Sequence, residues 1–394
     1  MTQPAAPLHL RPARKSRLNG TRHVADLRLA AKRRLPRSIF DYVDGGSFDE
    51  TTLRDNEADL AALRLRQRVL VDVSSRDTST TIVGHKAAMP IALAPAGLAG
   101  LISPHGEVYS ARAAQEHGVP FCLSTFSTCS LADVAAELDD PFMFQLYIFK
   151  DRGVNETLLE RAREAKCSTL VITMDANVMS PRHRDTKNGL IVPLRLTPRF
   201  VFDVARSPSW LIGWLTSQRR TFGNIQEFVG KKADLGSCSA WLKDNYKGAY
   251  DRDDLEWLRK NWHGKLMVKG LLDTEDARIA VDLGADAIAV SNHGGRQLDS
   301  AQSPARALPA IRDAVGDDVE LILDGGVRTG LDVLKALGLG ARSCFIGRAF
   351  LYGLAADGEA GVIKTLQILA NELDVGMAHT GVSDVSSIPD GLVL

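Results

Sequence analysis

From residue 89 onward the chain alternates short β-rich runs with helix-length amphipathic stretches, the pattern that sets parallel strands side by side and crosses between them through helices. Strand candidates lie at 90–94, 121–125, 143–148, 169–175, 266–269, 287–291, 320–324 and 343–346. Helical stretches fall between them at 107–118, 131–138, 154–165, 253–261, 274–283, 305–315 and 331–337. Eight such units predict an α/β fold, a (β/α)8 TIM barrel with an N-terminal helical extension and a long insert after the fourth strand. An open doubly wound sheet competes, but its dinucleotide fingerprint is missing, because Ala94-Pro95-Ala96-Gly97-Leu98-Ala99-Gly100 follows the first strand. The expected division is a basic extension over 1–34 and one barrel domain over 35–394 that includes the insert 190–250.

Charge separates along this frame. The chain carries 48 Lys+Arg and 48 Asp+Glu, yet residues 1–34 hold nine basic groups and one acid, Asp26, leaving the remainder at a net −8. A dedicated nucleic-acid binder needs a broad basic face, so no nucleic-acid partner is expected. Cys122, Cys129, Cys167, Cys238 and Cys344 show no paired or metal-like spacing and read as reduced core thiols of a cytoplasmic protein. No metal site is expected. The uncharged stretch 87–105 is interrupted by Pro90, Pro95, Gly97 and Gly100, so no transmembrane helix is expected.

A barrel places functional residues where strands end, which brings forward Gln145, Tyr147, Asp175, Lys269, His293 and Asp324. The most informative string is Ser291-Asn292-His293-Gly294-Gly295-Arg296-Gln297-Leu298-Asp299. It puts an imidazole that takes a proton near neutral pH beside a guanidinium that grips a carboxylate, with glycines that let a ligand approach the backbone. A lone histidine is more often a satisfied core residue, and here the glycines and Arg296 shift the balance. Asp175 suits either a helix cap or the carboxylate that orients His293. Lys269 offers a cation inside the mouth or a surface lysine at a turn. Asp324-Gly325-Gly326-Val327-Arg328 and Gly347-Arg348 end the seventh and eighth strands, where such barrels often bind phosphate.

These strings resemble the FMN-dependent (S)-2-hydroxy-acid oxidase and dehydrogenase family, over nearly the whole chain from about residue 25. The match rests on residues 291–299, on Phe40-Asp41-Tyr42-Val43-Asp44-Gly45-Gly46, on Phe144-Gln145-Leu146-Tyr147 and on 324–328. The resemblance implies FMN as cofactor, His293 as the base, Asp175 as stabiliser of its imidazolium, and Lys269 beside the flavin N1/O2 edge. It implies that Arg182 and Arg296, with the hydroxyls of Tyr42 and Tyr147, hold the substrate. Pro95, Ala96, Gly97, Ser124, Gln145 and Thr173 would line the isoalloxazine, with Ser291 nearby. Asp324, Gly325, Gly326, Arg328, Gly347 and Arg348 would hold ribityl and phosphate. Two positions depart from many members: Ala176-Asn177 follows Asp175 where a proline is usual two residues on, and Phe126 stands where glycolate oxidase has tryptophan.

Within the family, Gly97 resembles the dehydrogenases, whereas oxidases carry alanine there, so slow reaction with oxygen is expected. The block Arg64-Leu65-Arg66-Gln67-Arg68-Val69-Leu70 and the long insert look most like the bacterial respiratory branch that oxidises L-lactate to pyruvate and reduces quinone. An (S)-mandelate-type dehydrogenase and a peroxide-forming 2-hydroxy-acid oxidase are the enzymatic alternatives, and a non-catalytic flavin-binding barrel is a remote one. Residues 195–222 interleave five arginines with Phe200, Phe202, Trp210, Trp214 and Phe222. That run fits equally an anionic lipid headgroup layer on the cytoplasmic face of the membrane and a lid or subunit contact. Family members are commonly homotetramers, which sets the expectation for assembly.

Overall fold

The computed structural model of the chain describes residues 8, 10, 18–189, 198–230 and 232–394. A hairpin, β1 (Thr80–Ile82) and β2 (His85–Ala87), precedes eight parallel strands: β3 (Ile91–Leu93), β4 (Cys122–Ser124), β5 (Met143–Leu146), β6 (Thr169–Thr173), β7 (Lys265–Leu271), β8 (Ala287–Ser291), β9 (Glu320–Asp324) and β10 (Ser343–Ile346). All eight expected strands form. They pair in the order β3-β10-β9-β8-β7-β6-β5-β4, and a parallel bridge from Leu93 to Phe121 brings the two ends together into a barrel.

Strand alternation divides the core in two. Ala92, Cys122, Met143, Val171, Met267, Ala287, Ala289, Ile322 and Phe345, drawn from all eight barrel strands, form an enclosed inner cluster. The opposite faces of the strands pack into a larger outer cluster with the helices. The hairpin closes the N-terminal end of the barrel: Ile82, Val83 and Ala87 join the inner cluster, and the Val83 N–H donates to Glu320 Oε2 at 2.8 Å. Two residues further along the strands the inward positions become polar: Ser124, Gln145, Thr173, Lys269, Ser291 and Asp324. One periodicity thus fills the barrel with apolar side chains and sets polar ones at its C-terminal end.

Turn chemistry sets the crossovers. The helices Leu131–Ala135, Arg152–Glu164, Thr274–Asp282, Pro304–Val315 and Gly330–Gly338 are capped by the side chains of Ser130, Asp151, Asp273, Ser303 and Thr329. Each such cap is worth about 1 kcal/mol. The helix Val24–Arg34 lies inside the stretch expected to be an extension, but Val24, Leu27 and Ala31 are buried in the barrel's outer core and the helix packs on Arg348–Asp357. That helix thus packs as part of the barrel's outer core, and residues 1–7, 9 and 11–17 of the stretch lie outside the described ones.

The insert contains helices Pro198–Ala205, Pro208–Thr216, Gln226–Val229 and Leu235–Asn245. Its residues 190–197, which include Arg195, lie outside the described residues. The aromatic set expected to act together divides: Phe202 is 64% exposed, whereas Trp210 and Phe222 are buried and the Trp210 indole N–H donates to the Leu101 carbonyl at 2.7 Å. None of the described helices is long and apolar enough to cross a membrane.

Candidate active site

The turn after β8 holds the imidazole in an unusual backbone. His293, Gly294 and Gly295 all have positive φ, at 59°, 63° and 71°. Such a conformation is costly for histidine and must be fixed by its surroundings. The His293 N–H donates to Ser291 Oγ at 3.0 Å, and Asn56 and Asn292 exchange amide hydrogen bonds of 2.8 and 2.7 Å beneath the turn. The glycines are required sterically, since a Cβ on Gly294 would meet Arg348 Nη1 at 2.6 Å and one on Gly295 would meet the Leu53 backbone at 2.6 Å.

His293 Nδ1 lies 2.9 Å from Asp175 Oδ1, so Nδ1–H donates to the carboxylate and Nε2 is left to accept a proton. Burial pushes the Asp175 carboxyl up, but the charge and hydrogen bond of His293 and the charge of Lys269 outweigh it and hold the group below its ordinary value. Asp175 orients His293 rather than capping a helix.

Lys269 is buried, with Nζ 2.7 Å from Asp324 Oδ2 and donating to Ser291 Oγ at 3.0 Å; the Ser291 hydroxyl in turn donates to Asp324 at 2.7 Å. Burial disfavours its charge, yet Asp324 and Asp175 more than compensate and raise the ammonium above its ordinary value. A permanent cation therefore sits on the inner wall. Across the mouth, Gln145 Oε1 accepts from the Ser124 hydroxyl at 2.9 Å, while its buried Nε2 has no hydrogen-bond partner among the described residues. A buried amide donor without a partner is costly, and the acceptor atoms of a planar ring would satisfy it.

The third group concentrates positive charge. Arg296 and Arg182 lie over the Tyr42 ring, with guanidinium carbons 5.0 and 5.7 Å from its centroid. Arg296 donates to the carbonyls of Tyr42 and Gly45 at 2.7 and 3.2 Å and forms no ion pair among the described residues. Burial and the neighbouring Arg182 push it down to about 9. The nearest acid, Asp185, is 3.5 Å from Arg182, and burial raises its carboxyl despite both arginines. Two crowded guanidiniums with so little counter-charge have the chemistry that suits a carboxylate. Tyr147, stacked on Phe126 at 4.5 Å between centroids, has its phenol pushed well up by burial and so remains a hydroxyl donor.

One cavity of about 2180 Å³ is lined by Tyr42, Pro95, Ala96, Gly97, Ser124, Tyr147, Arg182, Lys269, His293, Arg296, Asp324, Gly325, Gly326, Arg328, Gly347 and Arg348. Thr173 and Ser291 are buried on the same inner face without lining it, as Gln145 and Asp175 stand behind it. At the ends of β9 and β10 the space above Gly347 is open, and this glycine precedes the ten-residue helix Arg348–Asp357, whose first N–H groups suit a phosphate. Arg348 lines this cavity and also braces its wall. Three of its N–H groups donate to the carbonyls of Val43, Gly294 and Gly45 at 3.1, 2.9 and 2.7 Å, bracing the Tyr42 helix against the His293 turn. Arg328 pairs with Glu57 at 3.0 Å.

Sequence reasoning missed the supports. Buried Glu107 accepts from the N–H groups of Gly100 and Thr128 at 3.2 and 2.8 Å and from the Thr128 hydroxyl at 2.9 Å, clamping together the loops that carry Gly97 and Phe126. Asp44 gathers Arg28, Arg184 and the Tyr352 hydroxyl, joining the helix that carries Tyr42 to the segment that carries Arg182. Tyr246, from the end of the insert, donates to the Ala176 carbonyl at 2.5 Å, just after Asp175. Asp44 lay inside a recognised block. Glu107 and Tyr246 gave no local signal, because their partners are distant in sequence.

A parallel barrel whose mouth combines an oriented imidazole, a crowded arginine pair and a cradle with an inner cation defines a class, the cofactor-dependent enzymes acting on small organic acids. The family model described as FMN-dependent dehydrogenase matches residues 31–393, and the chain belongs to that family. It is 50% identical over 370 residues, 93% of this chain and 96% of the relative, to the L-lactate dehydrogenase of Caulobacter vibrioides (strain NA1000 / CB15N). It is 45% identical to the L-lactate dehydrogenase of Pseudomonas syringae pv. syringae (strain B728a), covering 94% of this chain and 97% of that one. Among solved structures it resembles the monotopic membrane protein (S)-mandelate dehydrogenase with a TM-score of 0.91 at 35% identity, over 95% of this chain and 99% of that one. A mandelate oxidase structure matches with a TM-score of 0.79 at 35% identity, over 93% and 96% of the two chains. The protein is thus an FMN-dependent hydroxy-acid dehydrogenase.

Proposed function

We propose that the protein oxidises L-lactate to pyruvate and passes the electrons to a membrane quinone. The observation that carries this reading is the convergence of the His293–Asp175 pair and the Arg182–Arg296 pair on one mouth, beside the inner cation Lys269. The names of the relatives support lactate as the acid.

Bound FMN supplies the two-electron acceptor. Arg296 and Arg182 grip the substrate carboxylate and the oxygen that becomes the ketone, with the hydroxyls of Tyr42 and Tyr147 as further donors. Nε2 of His293 takes a proton, and Asp175 stabilises the resulting imidazolium. Lys269 sets positive charge at the N1/O2 edge, where reduction builds negative charge. Pro95, Ala96, Gly97, Ser124, Gln145 and Thr173 frame the ring, with Ser291 holding Lys269 in place. Gly325, Gly326, Arg328, Gly347 and Arg348, with Asp324, hold the ribityl phosphate.

The membrane part of the proposal rests on exposed Val201, Phe202, Ile212 and Leu215, which give the insert an apolar surface suited to a peripheral contact on the cytoplasmic face. The assembly proposed is a homotetramer.

An anaerobic screen of flavin bleaching with glycolate, L-lactate and (S)-mandelate tests the substrate. Bleaching by L-lactate at the highest kcat/KM is expected, and bleaching confined to mandelate would replace this reading with the aromatic one that Phe126, Tyr147 and Phe222 favour. His293→Ala should slow bleaching by about 10²- to 10⁴-fold while FMN stays bound. A barrel that only binds flavin would show no activity to lose. Rapid reoxidation in air would instead identify an oxidase.

A further inference from the structure

Two turns of the mouth meet on one buried residue that stands outside it. Helix Thr51–Ala62 lies behind the cavity, and among the described residues none from this helix lines that space. Asn56, in the middle of the helix, is 1% exposed. Its side-chain amide pairs reciprocally with that of Asn292, the residue before His293, at 2.8 and 2.7 Å. Asn292 Oδ1 also accepts from the Gly295 N–H at 3.1 Å, and Asn292 Nδ2 also donates to the Gln302 carbonyl at 3.1 Å. Both donors and both acceptor positions of the Asn292 amide are therefore occupied, and Asn56 supplies half of the partners.

The same residue touches the next turn. A Cβ on Gly326 would run into the Asn56 carbonyl, and one on Gly325 would meet Asn56 Nδ2 at 3.4 Å. Positive φ at Gly325 and Gly326, 146° and 82°, brings their backbone onto the helix. The helix is in turn fastened to the loop after β8. Asp299 accepts from the N–H groups of Asp49 and Thr52 at 3.1 and 2.8 Å, and the Ala301 N–H donates to Thr52 Oγ1 at 3.1 Å. The turn that carries His293 and the turn that ends β9 thus take their places from one helix, and Asn56 is where both rest on it.

We propose that Asn56 is a positioning residue for the imidazole: it completes the Asn292 amide, holds the His293 turn in its left-handed form and keeps that turn in register with Gly325–Gly326. The proposal rests on the reading of His293 as the base. Three successive residues with positive φ form a sparsely populated backbone, which persists only where surrounding contacts over-determine it. Without the Asn56 amide, two polar groups of Asn292 are left buried and unpaired, and the turn regains partners only by moving. Movement there displaces the imidazole from Asp175. A buried amide pair that served stability alone would change the melting temperature and leave the chemistry of the folded protein untouched.

The test compares Asn56→Ala with Thr52→Val in the holoenzyme, the second variant removing bonds from the same helix to the same loop at a distance from the His293 turn. Asn56→Ala should slow anaerobic flavin bleaching at saturating L-lactate by about 10- to 100-fold, the scale of a misplaced reacting group. Its dissociation constant for oxalate should stay within about threefold, because Arg296 keeps its own contacts to the Tyr42 and Gly45 carbonyls. Thr52→Val should lower the melting temperature and hold bleaching within about twofold. Asn56→Asp keeps the volume and accepts from Asn292 Nδ2 but cannot donate to Oδ1; a fall of about tenfold is expected, and this variant carries the comparison if the alanine one does not fold. Unchanged bleaching in the Asn56 variants, equal slowing by Thr52→Val, or oxalate affinity falling in step with the rate would overturn the proposal. If L-lactate fails to bleach the wild-type enzyme, the substrate reading fails by itself, and substrate-free crystal structures still decide the role of Asn56. The 2.9 Å contact between His293 Nδ1 and Asp175 Oδ1 should be lost in the variant, and its retention would sink the proposal.

Discussion

Two cations in one mouth are held in opposite ways. Lys269, on the inner wall, is locked to Asp324 and Ser291 and its charge is reinforced. Arg296, on the outer rim, has backbone carbonyls and the Tyr42 face but no carboxylate partner among the described residues, and its proton is held less firmly than usual. The difference shows which charge the fold satisfies and which it leaves for a ligand. The inner cation is neutralised within the structure, and in the proposed reaction the outer one is completed by the substrate anion.

Removing each cation should separate these roles. Lys269→Met leaves Asp324 buried without its counter-ion and should cost about 3–5 kcal/mol of stability, read as a lower denaturation midpoint. Arg296→Met should leave stability unchanged or raise it, because it removes a charge the fold does not neutralise. Its kcat/KM for L-lactate should fall at least about 30-fold, the equivalent of ~2 kcal/mol for a lost charge-paired contact. Equal destabilisation by the two substitutions would break the comparison.

Titration sharpens it further. Lys269 lies above its ordinary value in the folded chain, so its stabilising contribution is complete below that value and is lost only as pH rises through the higher folded one. Arg296 lies at about 9, below its ordinary value, so above pH 9 the unfolded chain binds more protons and this group's contribution to stability rises with pH. Binding of an anion behaves oppositely. The affinity of the wild-type holoenzyme for oxalate should decline above pH 9, a trend that Arg296→Met should abolish.

The smallest effect concerns the support between the two regions. Tyr246→Phe removes the bond to the Ala176 carbonyl and should loosen the strand end that carries Asp175, lowering kcat about fivefold, or ~1 kcal/mol. Stopped-flow bleaching at saturating L-lactate reads this directly.

Much of the site was legible because the barrel turns sequence periodicity into position. Short β-rich runs marked each barrel strand, and the polar residue one period beyond the inner cluster, such as Gln145, Lys269 or Asp324, fell at the strand's C-terminal end. The glycine pair after His293 signalled a backbone that admits close neighbours, and Arg348 and Leu53 are those neighbours. The Glu107 clamp, the Asp44 hub and the Tyr246 tie were hidden. A buried carboxylate gives no local pattern when its donors arrive from another loop.

The sequence by itself determined the eight barrel strands and the residue types at each strand end, since these depend on neighbours two to four positions away. Only the tertiary structure decided that Asp175 orients His293, that Lys269 is neutralised by Asp324, that Arg348 spends three donors on backbone carbonyls, and that Trp210 turns inward while Ile212 and Leu215 face out. Those outcomes depend on contacts between segments far apart in the chain, where burial and partner charge, rather than residue identity, set each group's state.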